Sequence, residues 1–292
     1  SCMNVVELAS QLVRIPSMNP MGRGCGDGYG YGEARLAGYL AEHLGKLGGR
    51  VELPKALPGR PNLLAYFDMG RPHTVLLEAH MDTVPVDNMT VEPFGGGVKE
   101  GRLYGRGACD DKGPMAAILC AIERALTAGA GYNILFAAVS DEEYQFTGIR
   151  RLLPAIPPDI RYTIALAVVA EPTMLRPVAG HKGVVRWRAT ARGIAAHSST
   201  PELGSNAIYT MADALAGIRA HGSHLRERLP HPHLGSPSVS VGTIRGGTAA
   251  NIVPDWCEIE IDRRIVPDET VEEAAKQIEA VEGGAYAGIF SA

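Results

Sequence analysis

Leu76-Leu77-Glu78-Ala79-His80-Met81-Asp82-Thr83-Val84-Pro85 is the stretch that decides the fold. Val75-Leu76-Leu77 is too short and too aliphatic for a solvent loop. It reads as a buried strand of an α/β sheet, which puts His80 at the strand's carboxyl end and Asp82 just beyond it. Sheets of this kind hold their ligands in the crevice outside those carboxyl ends. Taken alone, His-x-Asp is more often a hydrogen-bonded histidine than a metal site. The motifs downstream, in their order, change that balance. Gly105-Arg106-Gly107-Ala108-Cys109-Asp110-Asp111-Lys112-Gly113 comes next, Ser140-Asp141-Glu142-Glu143 succeeds a second apolar run, and Ala170-Glu171-Pro172-Thr173 succeeds a third. Each acidic group stands just past an expected strand, so all should gather on one rim.

The chemistry of that rim points to a metal. Zinc takes imidazole nitrogen and carboxylate oxygen at about 2.0–2.2 Å, and a catalytic site keeps one position open for water. Asp110, Glu142, Glu143 and Glu171 brought together without cations repel one another, and divalent ions are the natural compensation. On an extended segment Glu142 and Glu143 point to opposite sides, so that one ligates while the other takes a proton. A solvated acidic turn accounts for Asp141-Glu142-Glu143 in isolation. It does not account for the triplet together with His80, Asp110 and Glu171.

At these residues the chain resembles the co-catalytic zinc aminoacylase and deacetylase family, which includes acetylornithine deacetylase, succinyl-diaminopimelate desuccinylase, aminoacylase and glutamate carboxypeptidase. The resemblance runs from about residue 5 to about residue 275 and rests on five motifs in order. It implies that His80 is a metal ligand, that Asp82 orients that histidine and that Asp110 bridges two ions. It further implies that Glu142 is the general base, that Glu143 is a ligand of the second ion and that Glu171 completes the histidine's ion. Two divalent metal ions, zinc or cobalt, are the expected cofactors. Metal-dependent hydrolysis of the amide bond of an N-acyl amino acid is the expected reaction, with a di-, amino- or carboxypeptidase of the same family, or a non-catalytic metal- or peptide-binding relic, as alternatives.

Along the first part of the chain, helical spacing at residues 5–13 and 33–47 and a mostly apolar helical run at 113–126 alternate with strands expected at 62–67, 75–79, 134–139 and 164–169. Such alternation predicts a largely parallel sheet with helices on its faces. Glycines between Gly22 and Gly32 lack the Gly-x-Gly-x-x-Gly spacing and a preceding strand, which excludes a dinucleotide loop.

The pattern changes after Pro177. Residues 184–192 alternate, with Val185, Trp187, Ala189 and Ala191 on one face and Arg186, Arg188, Thr190 and Arg192 on the other, and residues 257–265 do the same. These are half-solvated antiparallel strands. With helices at 206–219 and 269–281 they predict a small α+β domain with one sheet face covered. The division expected is a metal-binding catalytic domain at 1–178 and an α+β lid and dimerisation domain at 179–292. The expected fold class is α/β, and the resemblance implies a zinc-peptidase-like sheet with helices on both faces and an inserted dimerisation domain.

Three features of the second domain resemble functional elements of the family. His197, in Gly193-Ile194-Ala195-Ala196-His197-Ser198, matches the histidine that reaches the partner subunit's active site, which implies a homodimer. Asn251, in Gly246-Gly247-Thr248-Ala249-Ala250-Asn251, and Arg264, in Asp262-Arg263-Arg264, match substrate-binding elements, and a guanidinium fork suits a substrate carboxylate. A strand-surface salt bridge is the competing reading for Arg264. His221, His224, His231 and His233 stand among charged and proline-rich residues and are expected in a solvated loop.

Composition excludes other classes. A net charge of −4 with no basic stripe argues against nucleic acid. No apolar run approaches the ~20 residues of a membrane span, and Ser1-Cys2-Met3-Asn4 opens no secretory signal. Five cysteines (Cys2, Cys25, Cys109, Cys120, Cys257) with no Cys-x-x-Cys pair read as reduced thiols in the cytoplasm. The family's late histidine, a ligand of the second ion, has no counterpart after His233. One ion is therefore expected to have nearly complete ligands in His80, Asp110 and Glu171, and the other only Asp110 and Glu143. The sequence leaves the final strand of the small domain open.

Overall fold

The computed structural model describes residues 4–22, 30–87 and 89–280, and the backbone of 286–291. The chain divides into two compact units, Ser1–Arg176 and Pro177–Ala292.

The first unit runs α1 (Val5–Val13), α2 (Ala34–Lys46), β1 (Arg50–Glu52), β2 (Lys55–Leu57), β3 (Arg60–Pro61), β4 (Leu63–Phe67), β5 (Thr74–His80), β6 (Val98–Lys99), β7 (Arg102–Leu103), α3 (Lys112–Ala128), β8 (Asn133–Val139), α4 (Thr147–Ala155), α5 (Pro158–Arg161) and β9 (Ile164–Val169). Its main sheet has the order β1-β4-β8-β5-β9. Every residue of β8 is buried, because both faces of the sheet are covered. Ile134, Phe136 and Ala138 meet Leu12, Leu40 and Leu119 from α1, α2 and α3 on one face. Leu135, Ala137 and Val139 meet Leu152 of α4, Ile156 just after it and Ile160 of α5 on the other. A strand buried on both faces has no polar positions to alternate, hence its unbroken apolar run.

The sheet is mixed rather than largely parallel. β5 runs parallel to β8 and β9, but β4 runs antiparallel to β8, and β1 antiparallel to β4. The reason lies in the connection 68–73 between β4 and β5. It is too short for the crossover of a dozen or more residues that parallel strands require, so the chain must reverse. Strand β9 departs from expectation in another way. It is as apolar as β8 but lies at the sheet edge, with Leu166, Val168 and Val169 exposed.

The second unit runs β10 (Gly183–Arg192), a short 3-10 turn (Pro201–Leu203), α6 (Ala207–Glu227), β11 (Ser238–Gly246), β12 (Trp256–Ile265), α7 (Val271–Glu279) and β13 (Tyr286–Ser291). Its antiparallel sheet has the order β11-β12-β10-β13. Val185, Trp187, Ala189 and Ala191 pack with Ile259 and Ile261 against α6 and α7. The other face carries cross-strand ion pairs, Arg186 with Asp262 at 3.2 Å and Arg188 with Glu260 at 3.1 Å. The alternation in sequence is this division between an apolar and a charged face. Thr270 and Glu273 form a reciprocal capping box at the start of α7, and Asn206 caps α6 by accepting the N–H of Ile208. Residues 286–291, where the sequence leaves a final strand open, pair with β10 at its free edge.

Helix α6 is longer than its sequence suggests and carries His221 and His224, whose charged surroundings suggest a loop instead. Gly222 lies inside this helix. It is a packing position, since a Cβ at Gly222 would come within 3.2 Å of Val239 Cγ1 on β11. Cys109 and Cys257 are free thiols, and Cys2 and Cys25 lie outside the described residues. Among the described residues no helix is long and apolar enough to cross a membrane.

Candidate active site

His80 is the last residue of β5 and is buried. Its Nδ1 lies 2.8 Å from the backbone oxygen of Asp82. A carbonyl can only accept, so Nδ1 carries a hydrogen and Nε2 is the atom turned to the rim. There Nε2 meets Asp110 Oδ1 at 2.8 Å. Asp110 comes from the loop just before α3, Glu142 and Glu143 come after β8, and Glu171 comes after β9. The ligand atoms of His80, Glu142 and Glu171 lie within 4.8 Å of one another, and so do those of His80, Asp110 and Glu143. The adjacent glutamates thus belong to different groups that share one imidazole.

How Glu142 and Glu143 separate differs from expectation. Residues 142–145 form a turn, not an extended segment, and Asp141 before them has a φ of 66°. The cause is Asp82. Its carboxylate is 3.7 Å from His80 Nδ1, beyond hydrogen-bond reach, and serves the turn instead. Oδ1 accepts the N–H of Glu142 at 3.0 Å and Oδ2 the N–H of Glu143 at 3.1 Å. Two successive N–H groups aimed at one carboxylate require a turn, because an extended chain sends them to opposite sides. Asp82 therefore orients His80 through its backbone oxygen and the two glutamates through its side chain. Gly148, at the start of α4, closes the same loop, since a Cβ there would fall 1.9 Å from the oxygen of Ser140.

The electrostatics of the rim show whether it fits a cation. Burial works against a charged His80, yet the hydrogen bond to Asp110 and the nearby charges of Asp82 and Asp111 raise it to about 12. Burial, only partly offset by His80, pushes Glu142 up to about 7, with Glu171 and Glu143 adding repulsion. Burial likewise raises Glu78 to about 7 and Asp111 to about 8, with the charge of Glu171 adding to both. Glu143 is raised by burial and by Asp110. One imidazolium is too little positive charge for this set of acids. Imidazole and carboxylate are the donors that zinc-type ions take, so the residues present fit such an ion.

Sequence reasoning missed the buried polar residues behind this rim. Asn19 donates to Asp82 and Asp141, Arg60 pairs with Glu33 through two bonds of 2.7 Å, and Asn62 accepts the N–H of Ser140 at 3.0 Å. The available signal was polar side chains flanked by proline, in Pro16-Ser17-Met18-Asn19-Pro20 and Arg60-Pro61-Asn62.

The other three sequence candidates lie in the second unit. His197 is exposed, with Nδ1 at 2.8 Å from Ser199 Oγ. Its segment pairs with that of Asn251, whose backbone oxygen accepts the N–H of Ser198 at 3.0 Å, so these two candidates share one loop cluster. Arg264 is held by Asp262 through Nε at 2.7 Å, in keeping with the salt-bridge reading, and Nη1 takes no part in that pair.

Comparison with known proteins follows this division. The description "Peptidase family M28" fits residues 62–168, and "Peptidase dimerisation domain" fits residues 179–286. Acetylornithine deacetylase of Proteus mirabilis is 34% identical over 277 residues, which span 92% of this chain and 68% of that protein. The chain belongs to the metal-dependent aminoacylase and deacetylase family. With the family comes the reaction class, hydrolysis of an amide bond with the aid of a divalent metal. The family's fold recurs in solved structures. An M20 family metallo-carboxypeptidase from Sulfolobus solfataricus superposes with a TM-score of 0.75 at 20% identity, covering 98% of this chain and 78% of its own. A tripeptidase from Staphylococcus aureus gives 0.72 at 23% identity, covering 99% and 76%.

Proposed function

We propose that this member of the family hydrolyses the amide bond of N-acyl amino acids, with two divalent ions, zinc or cobalt, held by His80, Asp110, Glu143 and Glu171. The observation that carries the reading is the gathering of these donors around Nε2 of His80, Glu171 in one group and Asp110 and Glu143 in the other, an arrangement in which the imidazole serves one ion and the carboxylates the second. When bound, such ions polarise the scissile carbonyl and make water acidic enough to attack at neutral pH.

The chain's own side chains supply the proton traffic. Glu142 is the general base: it accepts a proton from the attacking water and returns it to the leaving amine. Asp82 keeps Glu142 aimed, through the N–H of that residue. His197 of one subunit donates to the oxygen that gains charge in the site of the other, since a donor placed where charge develops stabilises the transition state. The match of residues 179–286 to a dimerisation domain supports that assembly, a homodimer. Arg264, oriented by Asp262, offers its remaining donors to the substrate carboxylate; Asn251, in the loop that leads into the opposite end of β12, contacts the substrate elsewhere. Cysteine usage without paired spacing supports a cytoplasmic enzyme.

A panel of acetyl, succinyl and formyl amino acids, set beside dipeptides with a free α-amine, tests the substrate class on the metal-loaded chain. Cleavage of acyl amino acids alone is expected. Cleavage of the dipeptides alone would replace this reading with a peptidase of the same family.

A further inference from the structure

Behind the Glu142–Glu143 turn lies a line of buried polar groups that proton transfer and metal binding leave unused. At its centre is Asn19, which is 0% exposed. Its Nδ2 donates to Asp82 Oδ2 at 2.7 Å and to Asp141 Oδ1 at 3.0 Å. Its Oδ1 accepts the N–H of Met21 at 2.8 Å. Chemistry fixes the orientation of this amide, because only the NH2 end can sit between two carboxylates and only the oxygen can face an N–H. The backbone is fixed as well: Asn19 N–H donates to the oxygen of Thr83 at 2.8 Å, and Thr83 N–H to that of Ser17 at 3.1 Å.

The far end of the line is equally determined. The N–H of Asp141 donates to Glu33 Oε1 at 3.1 Å, and Arg60, paired with Glu33, lies 3.4 Å from Asp141 Oδ1. Asp141 is the residue whose positive φ starts the turn, and Asp82 is the residue whose carboxylate collects the N–H groups of Glu142 and Glu143. Both carboxylates bear negative charge in a dry setting, where repulsion is weakly screened.

We propose that Asn19 is a positioning residue of the hydrolytic site: its side-chain amide ties Asp82 to Asp141 and so fixes the directions in which Glu142 and Glu143 point. Without the amide, the two anions that define the turn have no common donor and move apart. Glu142 and Glu143 then lose their separate aims. A carboxylate in its place would add a third anion to the pair. The inference rests on the metallohydrolase reading only in naming the glutamates as the active groups.

The test compares Asn19→Ala and Asn19→Asp with Ser17→Ala. Ser17 Oγ donates to the oxygen of Met81 at 2.7 Å, so Ser17→Ala removes a buried hydrogen bond of the same segment without touching either carboxylate. Each chain is loaded with cobalt(II), its visible absorption spectrum is recorded, and kcat and KM are measured on an N-acetyl amino acid. Asn19→Ala is expected to alter the cobalt spectrum and lower kcat by about 10–100-fold with KM little changed, the usual cost of losing an outer partner of a metal site. Asn19→Asp should do more, and Ser17→Ala should lower the melting temperature alone. Unchanged spectra and kcat in both Asn19 variants would overturn the proposal, as would a Ser17→Ala chain that behaves like Asn19→Ala. If the parent chain cleaves no acyl amino acid, the substrate reading fails while the cobalt spectra still decide the role of Asn19.

Discussion

Asp82 accepts the backbone N–H of Glu142 at 3.0 Å, and through the same carboxylate it accepts that of Glu143. A buried acid in that position is costly by itself. Burial alone would push its pKa up, but the charge of His80 and the N–H groups of Asn19 and Glu142 hold it below the ordinary value. Asp82→Asn keeps the shape and replaces one acceptor by a donor that faces N–H groups. Zinc affinity is therefore expected to fall about 10–100-fold, as for other outer partners of metal sites. Calorimetric titration of the variant checks this, and an affinity equal to that of the parent would mean that the turn holds itself.

Glu142→Gln separates base from ligand. The amide retains the shape of the side chain but has no useful proton affinity, and general bases contribute about 10²–10⁴-fold. Metal content should stay at the parent level while turnover falls by about that factor. Asp110→Ala is the comparison. If metal content falls equally in both, Glu142 is a ligand and the roles of the two glutamates are exchanged.

Lys112 makes stability depend on alkaline pH. It is fully buried, its Nζ donates to the oxygen of Ile15 at 2.6 Å, and burial, followed by the charge of Arg35, lowers its pKa to about 7. An unfolded lysine titrates near ~10.4. Between these values the unfolded chain binds a proton that the folded chain does not, so this group makes stability rise with pH across that window. Denaturant melts from pH 7 to 10 should show a rise in the parent that is missing in Lys112→Met. Parallel curves for the two chains would show that Lys112 stays charged in the fold.

Gly148→Ala is expected to disturb stability and chemistry together. Its Cβ would meet the oxygen of Ser140 at 1.9 Å, and Ser140 leads directly into Asp141 and the glutamates. Overpacking of this kind costs about 1–3 kcal/mol. A lower melting temperature accompanied by reduced turnover is the expected result, measured by calorimetry and assay on one preparation. A stable variant with lost activity would place the strain in the loop alone.

The apolar strands were legible because a doubly covered strand has nowhere to put a polar residue, and β5 and β8 announce themselves in this way. Much of the rim was legible too, since His80 ends one apolar strand and Glu142, Glu143 and Glu171 follow others, whereas Asp110 lies on the loop before α3. The direction of β4 was not legible from its apolar run, because burial is indifferent to direction; the short link to β5 sets it. The turn at Glu142 was hidden for another reason. Asp82 that shapes it and Asn19 that holds Asp82 are 63 residues apart, and Asn19 and Asp141 are 122 apart, so no local spacing records their contact.

Metal dependence is the centre of this account, and it is tested most directly by stripping the chain with a chelator and assaying an N-acetyl amino acid before and after zinc or cobalt is restored. The account predicts no hydrolysis in the stripped chain and recovery on reloading, with the metal retained by Glu142→Gln and lost from His80→Ala. Hydrolysis that survives complete stripping, or a His80→Ala chain that binds metal as tightly as the parent, would contradict it.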